Sequence, residues 1–151
     1  MSYQERRAIV ALLSTLVITA IYSAVMFQRY PDVSETGAYS PEIFRFWGMF
    51  IVVLIPVSIV AKIIIAIVFY IINTIATREV ETDLTDERDK LIELRATRNS
   101  LYVFMFGFLF AMIALALGQT PTTMFIILII GGLLSDMVME LSLVFFYRRG
   151  Y

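Results

Sequence analysis

Four long apolar runs, parted by short polar interruptions and one extended charged stretch, dominate the chain. The first covers 8–27, about twenty residues, which at 1.5 Å per residue crosses a hydrocarbon core roughly 30 Å thick. The second covers 46–75 and is interrupted at Pro56, Ser58, Lys62 and Asn73. It is longer than a bilayer needs, so it is expected to tilt, to kink at Pro56 or to protrude. The third covers 100–117, and the fourth covers 123–146, where Arg148 and Arg149 stop it. The pattern predicts an all-α fold: an integral membrane bundle of four transmembrane helices, arranged as two helical hairpins. A helical connector over 78–99 joins the hairpins, and 1–151 forms a single membrane domain.

The boundaries carry their own signals. Residues 28–40, with Pro31 and Gly37, read as a loop. Ser40-Pro41-Glu42 reads as a helix start, with Ser as cap, Pro in the first helical position and an acid in the first turn. Thr120-Pro121 repeats that start after a tight turn at Gly118 and Gln119. In the connector, Leu84, Leu91, Leu94 and Leu101 recur at helical spacing, and Asp86 and Lys90 stand one turn apart. A helix is therefore expected to run without a break from about 83 into the third span.

Composition supports the membrane reading, with 60% hydrophobic and only 17% charged residues. The run over 8–27 is longer than the core of a secretory signal and lacks a clean pair of small residues at its end, so it reads as an uncleaved first span. Arg and Lys residues fix the expected orientation. Nine lie in the N-terminal segment, the 78–99 connector and the tail, against two, Arg29 and Arg45, on the other side. This predicts a multi-pass protein of the cell membrane with both termini and the connector in the cytoplasm. Tyr22, Tyr30, Phe46 and Trp47 are then expected at the outer interface, and Tyr3, Tyr70, Tyr102 and Tyr147 at the inner one. A net charge of −1 gives no reason to expect nucleic-acid binding. The chain has no Cys and no His, which removes thiol chemistry, the commonest general base and the commonest metal ligand. No enzymatic activity, cofactor or metal is expected.

Three ionisable side chains interrupt the apolar runs: Lys62 in the second span, and Asp136 and Glu140 in the fourth. Each costs roughly 2.5–3.5 kcal/mol near the bilayer centre and needs a partner or a wet cavity. Counted from the outer ends of their spans, Lys62 should sit level with the gap between the two acids. The acids are one helical turn apart and share a face with Gly132, where close helix approach is expected. Two carboxylates facing one lysine leave a surplus negative charge that a proton would relieve, which suits proton movement or pH sensing. The plainer readings are a structural pin between helices, or a lysine that snorkels to the interface. Ala11, Thr15, Thr19 and Ser23 form a small-residue stripe, as do Gly107 and Ala111, both suited to helix packing.

Six acids crowd the eleven residues of 79–89. They lack the glycine and ligand register of a calcium loop, so they read as a solvated acidic face or as a docking surface. Arg95 and Arg98 are placed to meet phospholipid headgroups. In the motif Asp86-Glu87-Arg88-Asp89 the acids complement the positive end of a helix. The stretch 85–100 resembles the signature of a family of small prokaryotic membrane proteins, domain of unknown function 2178. Its members carry a similar Asp-Glu-Arg-Asp run before the third of four spans, and an acid in a last span that ends in aromatics and Arg-Arg-Gly. Here the ending is Phe145-Phe146-Tyr147-Arg148-Arg149-Gly150. The resemblance implies a membrane protein without assigned chemistry. Two functions follow as expectations. The leading one is a non-enzymatic accessory or regulatory subunit, seated in the lipid bilayer, that docks a protein partner through its connector. The alternative is a proton- or ion-conducting homo-oligomer that uses Lys62, Asp136 and Glu140.

Overall fold

The computed structural model describes residues 3–32, 37–77 and 87–149. These form four α-helices and no strand: α1 Tyr3–Phe27, α2 Pro41–Thr77, α3 Glu87–Ala116 and α4 Pro121–Arg149. Each is long and apolar enough to cross a membrane. Three helices start well before their apolar runs. α1 begins at Tyr3 rather than at 8, α2 begins at Pro41, where the Ser40-Pro41-Glu42 signal places a helix start, and α3 takes in 87–99 as one continuous rod. The remainder of the expected connector, including Asp86, lies outside the described residues. α2 is helical straight through Pro56 and has 37 residues, a length of about 55 Å that exceeds any hydrocarbon core.

The helix ends follow from local chemistry. The Ser40 hydroxyl accepts from the Ile43 amide at 3.4 Å, and the Thr120 hydroxyl accepts from the Thr123 amide at 3.4 Å. Each cap occupies a donor that the first turn leaves open, and the proline that follows has no donor to satisfy. At the end of α3, Gly118 adopts φ 77°, the Gly118 amide donates to Leu115 O and the Gln119 amide to Ala114 O. This pair of reverse bonds closes the helix and needs a left-handed residue, which glycine supplies without a steric penalty.

α4 is the central helix. It packs most extensively on α3, then on α1, and over a short length on α2, while α1 also packs on α2. The α3–α4 interface is narrow because both partners are small. A Cβ added to Gly107 would stand 2.8 Å from the Gly131 Cα, and one added to Gly131 would stand 3.0 Å from the Gly107 Cα. Ala96 and Ala111 are buried on the same side of α3. Polar clamps flank the glycines. The Ser135 hydroxyl donates to Ser100 O at 2.8 Å and lies 2.8 Å from the Ser100 hydroxyl, and the Asn99 amide donates to the Ser142 hydroxyl at 3.3 Å. Between helices in lipid, close backbone approach and such hydrogen bonds replace the hydrophobic drive. The glycine of close approach is therefore Gly131, not Gly132, whose Cβ direction meets nothing within 4 Å.

At the end of the bundle where α1 stops and α2 begins, aromatic side chains form the hydrophobic core. Tyr22, Ile43, Phe46, Trp47 and Phe50 are buried against one another. Trp47 stacks on Phe125 with ring centroids 5.8 Å apart. The Tyr22 hydroxyl donates to Phe50 O at 2.7 Å, and the Trp47 indole donates to the Thr122 hydroxyl at 3.4 Å, which also lies 2.8 Å from the Tyr30 hydroxyl. Tyr22, Phe46 and Trp47 are thus core residues rather than a surface belt. Each buried polar tip has found a partner, as a low-dielectric site demands.

Leu91, Leu94 and Leu101 do not form the buried stripe of α3. All three are exposed, and Ile92 and Ala96 face the bundle instead. Small residues win this face because it must approach α4 closely.

Candidate functional site

The opposite end of the bundle, where α1 begins and α4 ends, is polar. Lys62 on α2 donates from Nζ to Asp136 Oδ2 on α4 at 2.8 Å. Of the two acids expected to compete for it, Asp136 holds the lysine. Glu140, one turn along α4, lies in Coulombic reach of Lys62, Asp136 and Arg7 and enters no hydrogen bond among the described residues. The pair is not enclosed: the side chains of Lys62 and Asp136 are 35% and 49% exposed. The reason is geometric. α2 and α4 meet over a short length, so the long lysine side chain bridges a gap between backbones.

Beside the pair lies a cavity of about 440 Å³ bounded by all four helices. α1 contributes Gln4, Arg7 and Ser14, α2 contributes Lys62 and Phe69, α3 contributes Asp89 and Glu93, and α4 contributes Glu140 and Tyr147. Its remaining wall is apolar, with Ala11, Ile65, Ala66 and Leu143 among the lining residues. The rim is fixed by paired groups. Tyr147 and Asp89 both line the cavity, and Arg148 Nε stands 3.9 Å from Glu5 Oε2. The Tyr3 and Phe69 rings lie 5.7 Å apart, and the Arg149 guanidinium sits 4.6 Å from the Phe145 ring centroid.

The motif of the connector splits here. Asp89 turns into the cavity, Glu87, Arg88, Arg95 and Arg98 are exposed, and Asp86 lies outside the described residues. Sequence reading did not single out Arg7, Glu93 or Tyr147 as site residues. One signal does point to Tyr147: Asp136, Glu140, Leu143 and Tyr147 follow one another at helical spacing, so the acidic face of α4 continues to its end. Among the described residues, no three carboxylates converge closely enough to hold a metal ion.

A second cavity, about 330 Å³, lies toward the aromatic end and is walled by Leu16, Thr19, Ser23, Trp47, Phe50 and Ile130, among others. Thr19 and Ser23, two members of the small-residue stripe of α1, border this space, whereas Thr15 is buried and Ala11 lines the polar cavity. The bundle thus has a charged cavity at one end and an apolar, aromatic-filled interior at the other. No family model, curated protein or solved structure matches the chain.

Proposed function

We propose that the chain is a non-enzymatic multi-pass protein of the cell membrane that acts as an accessory or regulatory subunit. In this reading α1 with α2 and α3 with α4 form two transmembrane hairpins, and both termini and the 78–99 connector lie in the cytoplasm. The excess of Arg and Lys at that end supports the orientation. The chain then belongs with the small four-helix membrane proteins it resembles and takes no assigned chemistry from them.

The observation that carries the docking role is the outer surface of α3 at its N-terminal end. Leu91 and Leu94 are 57% and 67% exposed, between Arg88, Arg95 and Arg98. Apolar side chains framed by arginines suit an interface core with a charged rim. The test is photocrosslinking in cells from positions 91 and 94, with Leu91→Ser and Leu94→Ser as competitors at the neighbouring position. A discrete protein adduct, lost in the serine variants, is expected. Adducts to lipid alone would overturn docking and leave the leucines as membrane-interface anchors. Orientation is tested separately with Gln28→Cys and Lys90→Cys, since the chain has no native cysteine. An impermeant reagent should label only position 28 from outside intact cells.

The second reading, conduction by an oligomer, draws on the polar cavity that ends at Lys62, Asp136 and Glu140. Within one chain the polar lining is confined to that end, so any path across the membrane would have to be completed between copies.

A further inference from the structure

The charged cavity has a size and a lining that fit a small organic molecule. Pockets for such ligands run from about 300 to 1,000 Å³, with mostly apolar walls and a few placed polar groups. Here the space is about 440 Å³. Its charges do not balance. Asp89, Glu93 and Glu140 face Arg7 and Lys62, and Lys62 is already bonded to a fourth carboxylate, Asp136. The surplus is negative. A metal ion is the wrong occupant, because among the described residues the carboxylates do not converge. The surrounding rings suit a larger cation: Phe69 and Tyr147 both line the space, and ammonium groups are attracted to ring faces. Phe69 packs against the Tyr3 ring, and Tyr147 shares the lining with Asp89. The wall of Ala11, Ile65, Ala66 and Leu143 offers apolar contact for the body of the ligand. α2 packs against α1 and α4, and α3 packs against α4 but has next to no contact with α1 or α2, so the cavity is open sideways along α3.

We propose that this cavity binds an amphipathic ammonium compound, with the cationic head against Glu140 and between Phe69 and Tyr147, and the apolar part along α1 and α2. The ammonium comes either from a soluble hydrophobic amine or from an aminophospholipid headgroup that reaches in along the open side of α3. The site is independent of the docking surface on α3 and would stand if no protein partner existed.

The test uses the full-length chain in detergent and radiolabelled benzyltrimethylammonium as the probe, followed by equilibrium dialysis. Saturable binding near one per chain is expected, with at least a tenfold loss in Glu140→Gln. Ala66→Phe, at an exposed position in the cavity lining, should also block binding and serves where the charge variant is poorly folded. Benzenesulfonate, an anion of similar bulk, should not compete. Equal binding by wild type and both variants, or equal competition by the anion, would overturn the proposal. Native mass spectrometry of protein extracted from membranes distinguishes the sources. A co-purifying ethanolamine lipid lost in Glu140→Gln identifies the lipid headgroup, and probe binding without such a lipid identifies a soluble amine.

Discussion

Lys62 Nζ donates a 2.8 Å hydrogen bond to Asp136 Oδ2 across helices whose backbones meet over only a short length. The side chains therefore do what packing does elsewhere in the bundle: they tie α2 to α4. A pair this exposed should contribute less than an enclosed one, for which loss of one partner costs roughly 3–5 kcal/mol. Lys62→Met alone is expected to destabilise by about 1–3 kcal/mol, because Asp136 keeps a charge at membrane depth without its partner. Lys62→Met with Asp136→Leu should recover much of that loss, and Lys62→Met with Glu140→Leu should recover less. Reversible unfolding in bicelles measures both. Additive losses in the first double variant would show that the pair is not coupled.

Gly107 and Gly131 make a sharper case, since the obstacle to a side chain at either is backbone. Gly107→Ala should force α3 away from α4, stretch the Ser100–Ser135 bonds and destabilise by about 1–3 kcal/mol. Gly132→Ala, one residue along, points into open space and should be neutral or stabilising by up to about 1 kcal/mol through helix propensity. Thermal unfolding of the two variants side by side checks the assignment. A larger loss at 132 than at 107 would contradict the helix register.

How much of this was legible in the sequence depends on which force sets each feature. Hydropathy gave the four helices because membrane crossing needs long apolar runs, and Ser40, Gly118 and Thr120 marked three ends because caps act within a few residues. The depth argument put Lys62 level with Asp136 and Glu140, because rise per residue is the same in both helices. The choice of Asp136 over Glu140, and of Gly131 over Gly132, turns on helix rotation, which small differences in packing set and no local pattern encodes. The leucines of α3 marked the helix but not which of its faces is buried, for a related reason. In water, leucine spacing marks the buried stripe. Against lipid the exposed face is equally apolar, and the buried face is the one with small residues. Lys62, Glu140 and Asp89 were each legible as candidates, but the cavity they share went unread because Arg7, Glu93 and Tyr147 join them from three helices far apart in sequence.

Trp47 is the only tryptophan in the chain and is fully buried, so its fluorescence reports one place. A tryptophan of an interfacial belt would be quenched by lipids brominated near the headgroup. Packed against Phe125, Phe50 and Phe46, Trp47 should be shielded from both brominated lipid and aqueous acrylamide, with blue-shifted emission. Thr122→Val removes the acceptor of its indole and the partner of Tyr30 and should destabilise by about 1–3 kcal/mol. Strong quenching in the wild type would mean that the aromatic cluster is open in the membrane.

The aromatic cluster also bears on conduction. A proton or ion that enters the polar cavity meets Lys62 and Asp136, and beyond them the interior is filled by Trp47, Phe50, Ile43 and Tyr22 or walled by apolar groups. Charge transfer through such a region is opposed by several kcal/mol per unsatisfied polar group. Purified protein in liposomes is therefore expected to show no proton or potassium flux above that of empty vesicles, under an imposed potential of either sign. Flux that depends on Asp136 and Glu140, lost in Asp136→Asn and Glu140→Gln and kept in Lys90→Gln, would displace the accessory role in favour of conduction. It would also require a polar path formed between chains, because the charged cavity of one chain lies toward one end of the bundle. In that event, crosslinked dimers should carry the flux and dilution to one chain per vesicle should abolish it.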